Sequence, residues 1–136
     1  MDLGSFTDGQ SKVVSGQTNI GAMPDDAFDC MLILNNGVWY KMSIAFAASV
    51  VISTCNQASF DTQIAVYSGA CGSLVCETVG HDTEGCEWGT TRLVYNVMPG
   101  TFYILVTGFY FQVGHFDLTV SVTAISIPVS GGGRNL

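Results

Sequence analysis

Gly114-His115-Phe116-Asp117-Leu118-Thr119-Val120-Ser121-Val122-Thr123-Ala124 alternates apolar and polar residues over almost its whole length. Successive side chains of a strand point to opposite faces, so Phe116, Leu118, Val120 and Val122 share a buried face. His115, Asp117, Thr119 and Ser121 share the wet one. A helix would scatter the same residues around its circumference. Working outward, the same period of two recurs upstream. Phe102, Ile104 and Val106 alternate with Tyr103, Leu105 and Thr107, and Val38, Tyr40, Met42 and Ile44 with Trp39, Lys41 and Ser43. Turn signals separate the runs: Asn35-Asn36-Gly37, Ser68-Gly69, Gly80, Pro99-Gly100 and Gly114. No stretch carries a capped helical stripe. The pattern predicts an all-β, two-sheet β-sandwich of about eight antiparallel strands, spanning 12–18, 38–44, 49–55, 62–67, 74–79, 91–97, 101–109 and 114–124. Residues 13–124 form the sandwich, 1–12 an irregular N-terminal arm, and 125–136 a C-terminal strand and Gly-rich tail. Pro128 restricts that last strand to an edge or an intermolecular pairing.

Composition narrows the function. The chain has 136 residues, 48% hydrophobic and only 11% charged, with a net charge of −7. Soluble domains average about 25% charged residues. Four basic residues, Lys12, Lys41, Arg92 and Arg134, cannot neutralise a phosphate backbone, which argues against nucleic acid. No apolar run approaches the about 18 residues of a membrane span. The start, Met1-Asp2-Leu3-Gly4, lacks the basic and apolar regions of a signal peptide, so a leader has been removed or the chain is a piece of a larger secreted one. None of the Asn residues begins an Asn-x-Ser/Thr acceptor.

Cysteines occur at Cys30, Cys55, Cys71, Cys76 and Cys86. Their spacing fits no zinc pattern, and their density points to disulfides and an oxidising, extracellular setting. Only His81 and His115 are available as catalytic bases, and no Gly-x-Ser-x-Gly elbow is present, so the reading is non-enzymatic. Asp82, Glu84 and Glu87 lie close in sequence. With Asp61 they are the candidate calcium ligands, chiefly Asp61, Asp82 and Glu84, because calcium takes about six to eight oxygens; no other cofactor is implied. For sugar stacking the candidates are Trp39, Trp88, Phe109, Tyr110 and Phe111, with Trp39 between two strand residues and read first as core.

Several ordered motifs carry a family resemblance. Ser53-Thr54-Cys55-Asn56, Phe60-Asp61-Thr62-Gln63-Ile64-Ala65-Val66-Tyr67-Ser68-Gly69-Ala70-Cys71 and Leu74-Val75-Cys76 are joined by Gly37-Val38-Trp39-Tyr40-Lys41. Pro99-Gly100-Thr101-Phe102-Tyr103-Ile104-Leu105-Val106-Thr107-Gly108-Phe109 and Gly114–Val120 continue the series. Together they resemble the bacterial pre-peptidase C-terminal (PPC) domain family over about residues 13 to 122. The resemblance implies a jelly-roll-like sandwich used as an accessory, non-catalytic module of secreted proteins, some of which bind fibrils. Two segments depart from it: Gly80–Cys86 replaces an Asn-Asp-Asp type turn, and Met31-Leu32-Ile33-Leu34 replaces a small polar loop. On this frame Cys71–Cys76 is the candidate short bridge and Cys55–Cys86 the long one. Cys30 is left over, as a buried thiol or an intermolecular link. Gly69 and Gly100 are expected where turns need positive φ or close backbone approach, and the Asp61 side chain is expected to accept backbone amides ahead of its strand.

Two functions fit. The first is an assembly module packing against copies of itself or sister domains, through Met31–Leu34 and the alternating Ile125, Ile127 and Val129. The second is an accessory module holding a secreted hydrolase to polysaccharide or fibrous protein through Trp88 and Phe109–Phe111. The low charge favours the first.

Overall fold

The alternation at the C-terminal end is realised as a strand over His115–Ala124, with Phe116, Leu118, Val120 and Val122 buried. The structure, a computed structural model, describes residues 1–22, 37–70 and 72–126. Among these the strands are β1 (Asp2–Ser5), β2 (Ser11–Thr18), β3 (Val38–Ile44), β4 (Ala48–Ser53), β5 (Thr62–Ser68), β6 (Val75–His81), β7 (Arg92–Val97), β8 (Gly100–Gly108) and β9 (His115–Ala124). They form two sheets, one of order β1-β3-β8-β5-β6 and one of order β2-β9-β4-β7. All pairings are antiparallel except β1 with β3. The expected two-sheet sandwich is the fold.

The core fills the space between the sheets. Tyr40, Met42, Ile64, Val66, Ile104 and Val106 from one sheet meet Val50, Ile52, Leu118, Val120 and Val122 from the other. Each such aliphatic side chain contributes about 1.5–3 kcal/mol by leaving water. Tyr40 is buried too, and desolvation pushes its phenol up from the ordinary value. Its hydroxyl donates to Gln17 Oε1 at 2.8 Å.

Three expectations are corrected. The first residues are not irregular: Asp2–Ser5 pairs in parallel with β3. Leu3 and Phe6 are buried, the Lys12 ammonium donates to Leu3 O and Ser5 O, and it stands 4.3 Å over the Phe6 ring. A four-residue parallel strand closed by a distant lysine leaves no local alternation to read. Second, a two-sheet sandwich is expected to take each strand's apolar set into the space between its sheets, and it does not take every one. Ala65, Tyr67 and Leu105 are buried on the opposite side of the five-stranded sheet, with Trp39, Leu74, Cys76 and Tyr103 packed against them. Inner strand β5 is therefore buried on both faces, with Ile64-Ala65-Val66-Tyr67 as its apolar run. Trp39 belongs to this second layer, with its ring centroid 5.4 Å from that of Tyr67. Third, Gly69 has the expected positive φ of 102°, but Gly100 opens β8 opposite Ile44 with neither a positive φ nor a close approach, a Cβ there meeting nothing nearer than 3.6 Å.

An aromatic tip at one end of the sandwich

Three connections meet at one end: β4–β5, β6–β7 and β8–β9. Beneath them lies a buried hydroxyl network. Thr54 Oγ1 and Thr62 Oγ1 are 2.7 Å apart, Thr62 Oγ1 donates to Thr91 Oγ1 at 3.1 Å, and Thr91 Oγ1 lies 2.9 Å from Thr62 O. Thr91 N–H donates back to Thr54 Oγ1. Hydroxyls at full burial are tolerated because each finds a partner. The network fixes the end of β4 against the starts of β5 and β7.

Above it the β6–β7 loop is held down twice. Cys55 and Cys86 are joined by a disulfide across 31 residues. Asn56, itself in left-handed backbone, accepts the Glu87 N–H at Oδ1 and donates its own N–H to Thr90 Oγ1. The β8–β9 loop is pinned by a buried Asn19, which donates to Gln112 O and accepts the Gly114 N–H. Gly108 permits this loop to close, because a Cβ there would fall 1.9 Å from Gln112 O.

Both loops turn on Asp61. Phe109 N–H donates to Asp61 O, and Asp61 N–H donates to Gln112 Oε1, each at 2.9 Å. The Asp61 carboxyl reaches the other way. It lies against the backbone of Gly89, where an added Cβ would come 2.6 Å from Asp61 Oδ1 and 2.8 Å from Asp82 Oδ1. Asp61 Oδ1 is buried without a hydrogen-bond donor, while the Asp82 carboxyl stands within hydrogen-bonding reach of the Asp61 side chain. Burial, the Asp82 charge and that hydrogen bond push the Asp61 carboxyl up to about 6, against a weaker opposing pull from His81. The expected bonds from this side chain to backbone amides are thus replaced by an acid–acid contact.

The aromatic residues project from these loops. Trp88 is 80% exposed, Tyr110 65% and Phe111 69%; Phe109 is half-buried, its ring 4.4 Å from that of Tyr110. Trp88, Tyr110 and Phe111 have φ of 60°, 49° and 64°. A left-handed conformation costs a bulky L-residue about 1–2 kcal/mol. Three large apolar rings are therefore held in water, on strained backbone, at the same end of the molecule. Such strain concentrates at functional sites.

Of the other sequence candidates, Cys76 is also disulfide-bonded, and Ile125 is exposed with its N–H on Ala47 O. Cys30, Met31, Leu32, Ile33, Leu34, Cys71, Ile127 and Val129 lie outside the described residues. The calcium trio is not assembled: Asp61 and Asp82 meet, but among the described residues no group of three or more acidic, His or Cys side chains stands so as to hold a metal ion. Glu84 is exposed on the loop, because Thr83 rather than Glu84 is tied back to the start of β7. The residues that build the tip and were not singled out are Gly89, Gln112, Asn56, Asn19 and the three threonines. A Gly following a Trp in a turn-rich stretch was the one local signal for Gly89.

No protein-family model matches the chain, and no curated protein matches it. A solved structure does. The pre-peptidase C-terminal domain of collagenase from Bacillus anthracis is 15% identical, covers 90% of this chain and 92% of its own, and superposes with a TM-score of 0.51. The chain has the pre-peptidase C-terminal fold. At that identity what is shared is the fold, and the fold does not carry a function with it. Among the described residues no helix is long and apolar enough to cross a membrane.

Proposed function

We propose that this PPC-fold domain is a non-catalytic accessory module of a secreted protein, and that it holds its parent to a polysaccharide through the aromatic tip. The observation that carries the reading is the strained, exposed display of Trp88, Tyr110 and Phe111 on two tethered loops. Aromatic faces stack on sugar rings with little loss of side-chain freedom, since each ring has only two torsions. The Cys55–Cys86 bridge and the fold agree with an extracellular setting. The test is retention on a panel of insoluble glycans, with collagen as the protein comparison. Trp88→Ala and Tyr110→Ala are expected to abolish glycan retention. Retention unaffected by both changes, or retention on collagen alone, counts against the reading.

A second reading, self-association, is supported by β7. Edge strands β2 and β6 carry register shifts, the usual guard against edge pairing. Edge strand β7 pairs with β4 in unbroken register and leaves Val94 exposed, with Met98 exposed just beyond it. Sedimentation of the full chain at high concentration tests this. Oligomers that dissolve on Val94→Lys and on removal of residues 125–136 support it, and a monomer at every concentration removes it.

A further inference from the structure

The tip has two aromatic loops, and one residue touches both. Asp61 accepts the Phe109 N–H on its carbonyl and gives its own N–H to Gln112. Its carboxyl lies on Gly89, the neighbour of Trp88. We propose that Asp61 is the positioning residue that locks the Trp88 loop and the Phe109–Phe111 loop into a single surface, so that one ligand engages both. The proposal rests on the reading of the tip as a binding surface, and it adds how that surface is assembled and released.

The lock needs a proton. Among the described residues Asp61 Oδ1 has no donor, and the Asp82 carboxyl stands beside it, the two Oδ1 atoms flanking the point where a Gly89 Cβ would fall at 2.6 and 2.8 Å. Two carboxyls in contact are held together by one shared proton and repel when both ionise. Among the described residues, the charged or titratable groups facing Asp61 are His81 at the end of β6 and Asp82 just beyond it; the β8–β9 loop presents the neutral Gln112 amide, and the β6–β7 loop the Gly89 backbone. His81 Nδ1 is 3.6 Å from Asp82 Oδ2, so it draws on the same pair. Ionisation of both acids moves Asp82 and Gly89 away from Asp61. The Trp88 loop then shifts relative to the Phe109–Phe111 loop, which stays fixed by the Phe109 backbone bond.

The chain has two tryptophans, so fluorotryptophan labelling of the full protein gives two fluorine resonances, assigned by Trp88→Phe. In wild type the Trp88 resonance is expected to shift with a midpoint near 6. It is expected to lose this titration in Asp61→Asn and in Asp82→Asn, and to keep it in His81→Gln. A pH-independent Trp88 resonance in wild type, or titration unchanged in Asp82→Asn, or titration lost in His81→Gln, overturns the lock. Repeating the titration with excess calcium is expected to leave the midpoint in place; a large calcium-driven shift would replace the shared proton with a cation and overturn the proposal. Glycan retention then provides the second arm. Wild type is expected to bind at least roughly tenfold more weakly above the midpoint than below it, one pKa unit of linkage being a factor of ten. Asp61→Asn is expected to bind alike on both sides. Equal wild-type binding on both sides, with the resonance titrating, overturns the claim that one ligand needs both loops. No retention at any pH, with the resonance titrating as expected, overturns the binding reading and leaves the lock standing.

Discussion

The Asp61 carboxyl and the backbone of Gly89 are in contact so close that a methyl group on Gly89 would fall 2.6 Å from Asp61 Cγ. Asp61 precedes β5 and Gly89 belongs to the β6–β7 loop, so this contact is where two distant parts of the chain agree on the position of Trp88. Gly89 has a φ of 73°, which a side chain resists even in open space. Gly89→Ala is therefore expected to lower stability by about 1–3 kcal/mol and to expel the Asp61 carboxyl. Gly85→Ala, at a φ of 88° with nothing within 4 Å of its Cβ, carries only the backbone cost. Equal melting temperatures for the two variants would show that the carboxyl contact contributes nothing.

The pH dependence has two limbs. The folded Asp61 carboxyl is raised to about 6 from 3.8, so the folded state keeps a proton that the unfolded chain has lost. Its stabilisation is complete below about 3.8 and disappears as pH rises through 6. Glu77 behaves oppositely. Ser68 and Tyr95 hydroxyls donate to its carboxylate and hold it below the ordinary value, so its contribution is lost as pH falls beneath 4.5. Denaturant midpoints measured across pH should be highest at about pH 4 and fall as pH rises through 6. Asp82→Asn should flatten the fall toward neutral pH and leave the acid limb unchanged; an unaltered neutral limb would show that the acid pair is not its source.

Trp88→Gly and Tyr110→Gly separate strain from function. Glycine accepts the left-handed backbone that these residues occupy at a cost, though it adds freedom to the unfolded chain. Stability is expected to be unchanged or raised by up to about 1 kcal/mol, while glycan retention is lost. A clear loss of stability in both would mean that the rings pack against the fold.

Replacing Cys55 and Cys86 by Ser opens a loop of 31 residues. The chain-entropy estimate for that length is about 3–4 kcal/mol. Urea unfolding of the double variant should show a loss of this size with an otherwise cooperative transition.

Thr62→Val tests the layer beneath. It keeps the volume but removes the hydroxyl that links Thr54 and Thr91, leaving buried oxygens short of a partner. A cost of about 1–3 kcal/mol is expected. Thr101, half-buried on β8, is the comparison, and Thr101→Val should cost far less.

The sequence by itself determined the sandwich. Alternation in Phe116–Val122 and Phe102–Val106 assigns faces, because a strand's side chains change sides at every residue and one buried face leaves a single register. It also pointed to Trp88, Tyr110 and Phe111, since rings at strand ends have no core face to enter. Only the tertiary structure decided the rest. The parallel β1, the apolar layer around Tyr67 and the threonine network depend on partners tens of residues away, and no local period encodes them. Asp61 is the sharpest case: its backbone serves one loop and its carboxyl another. Its chemistry is set by Asp82 and Gly89, two residues that the chain brings beside it only when both sheets have formed.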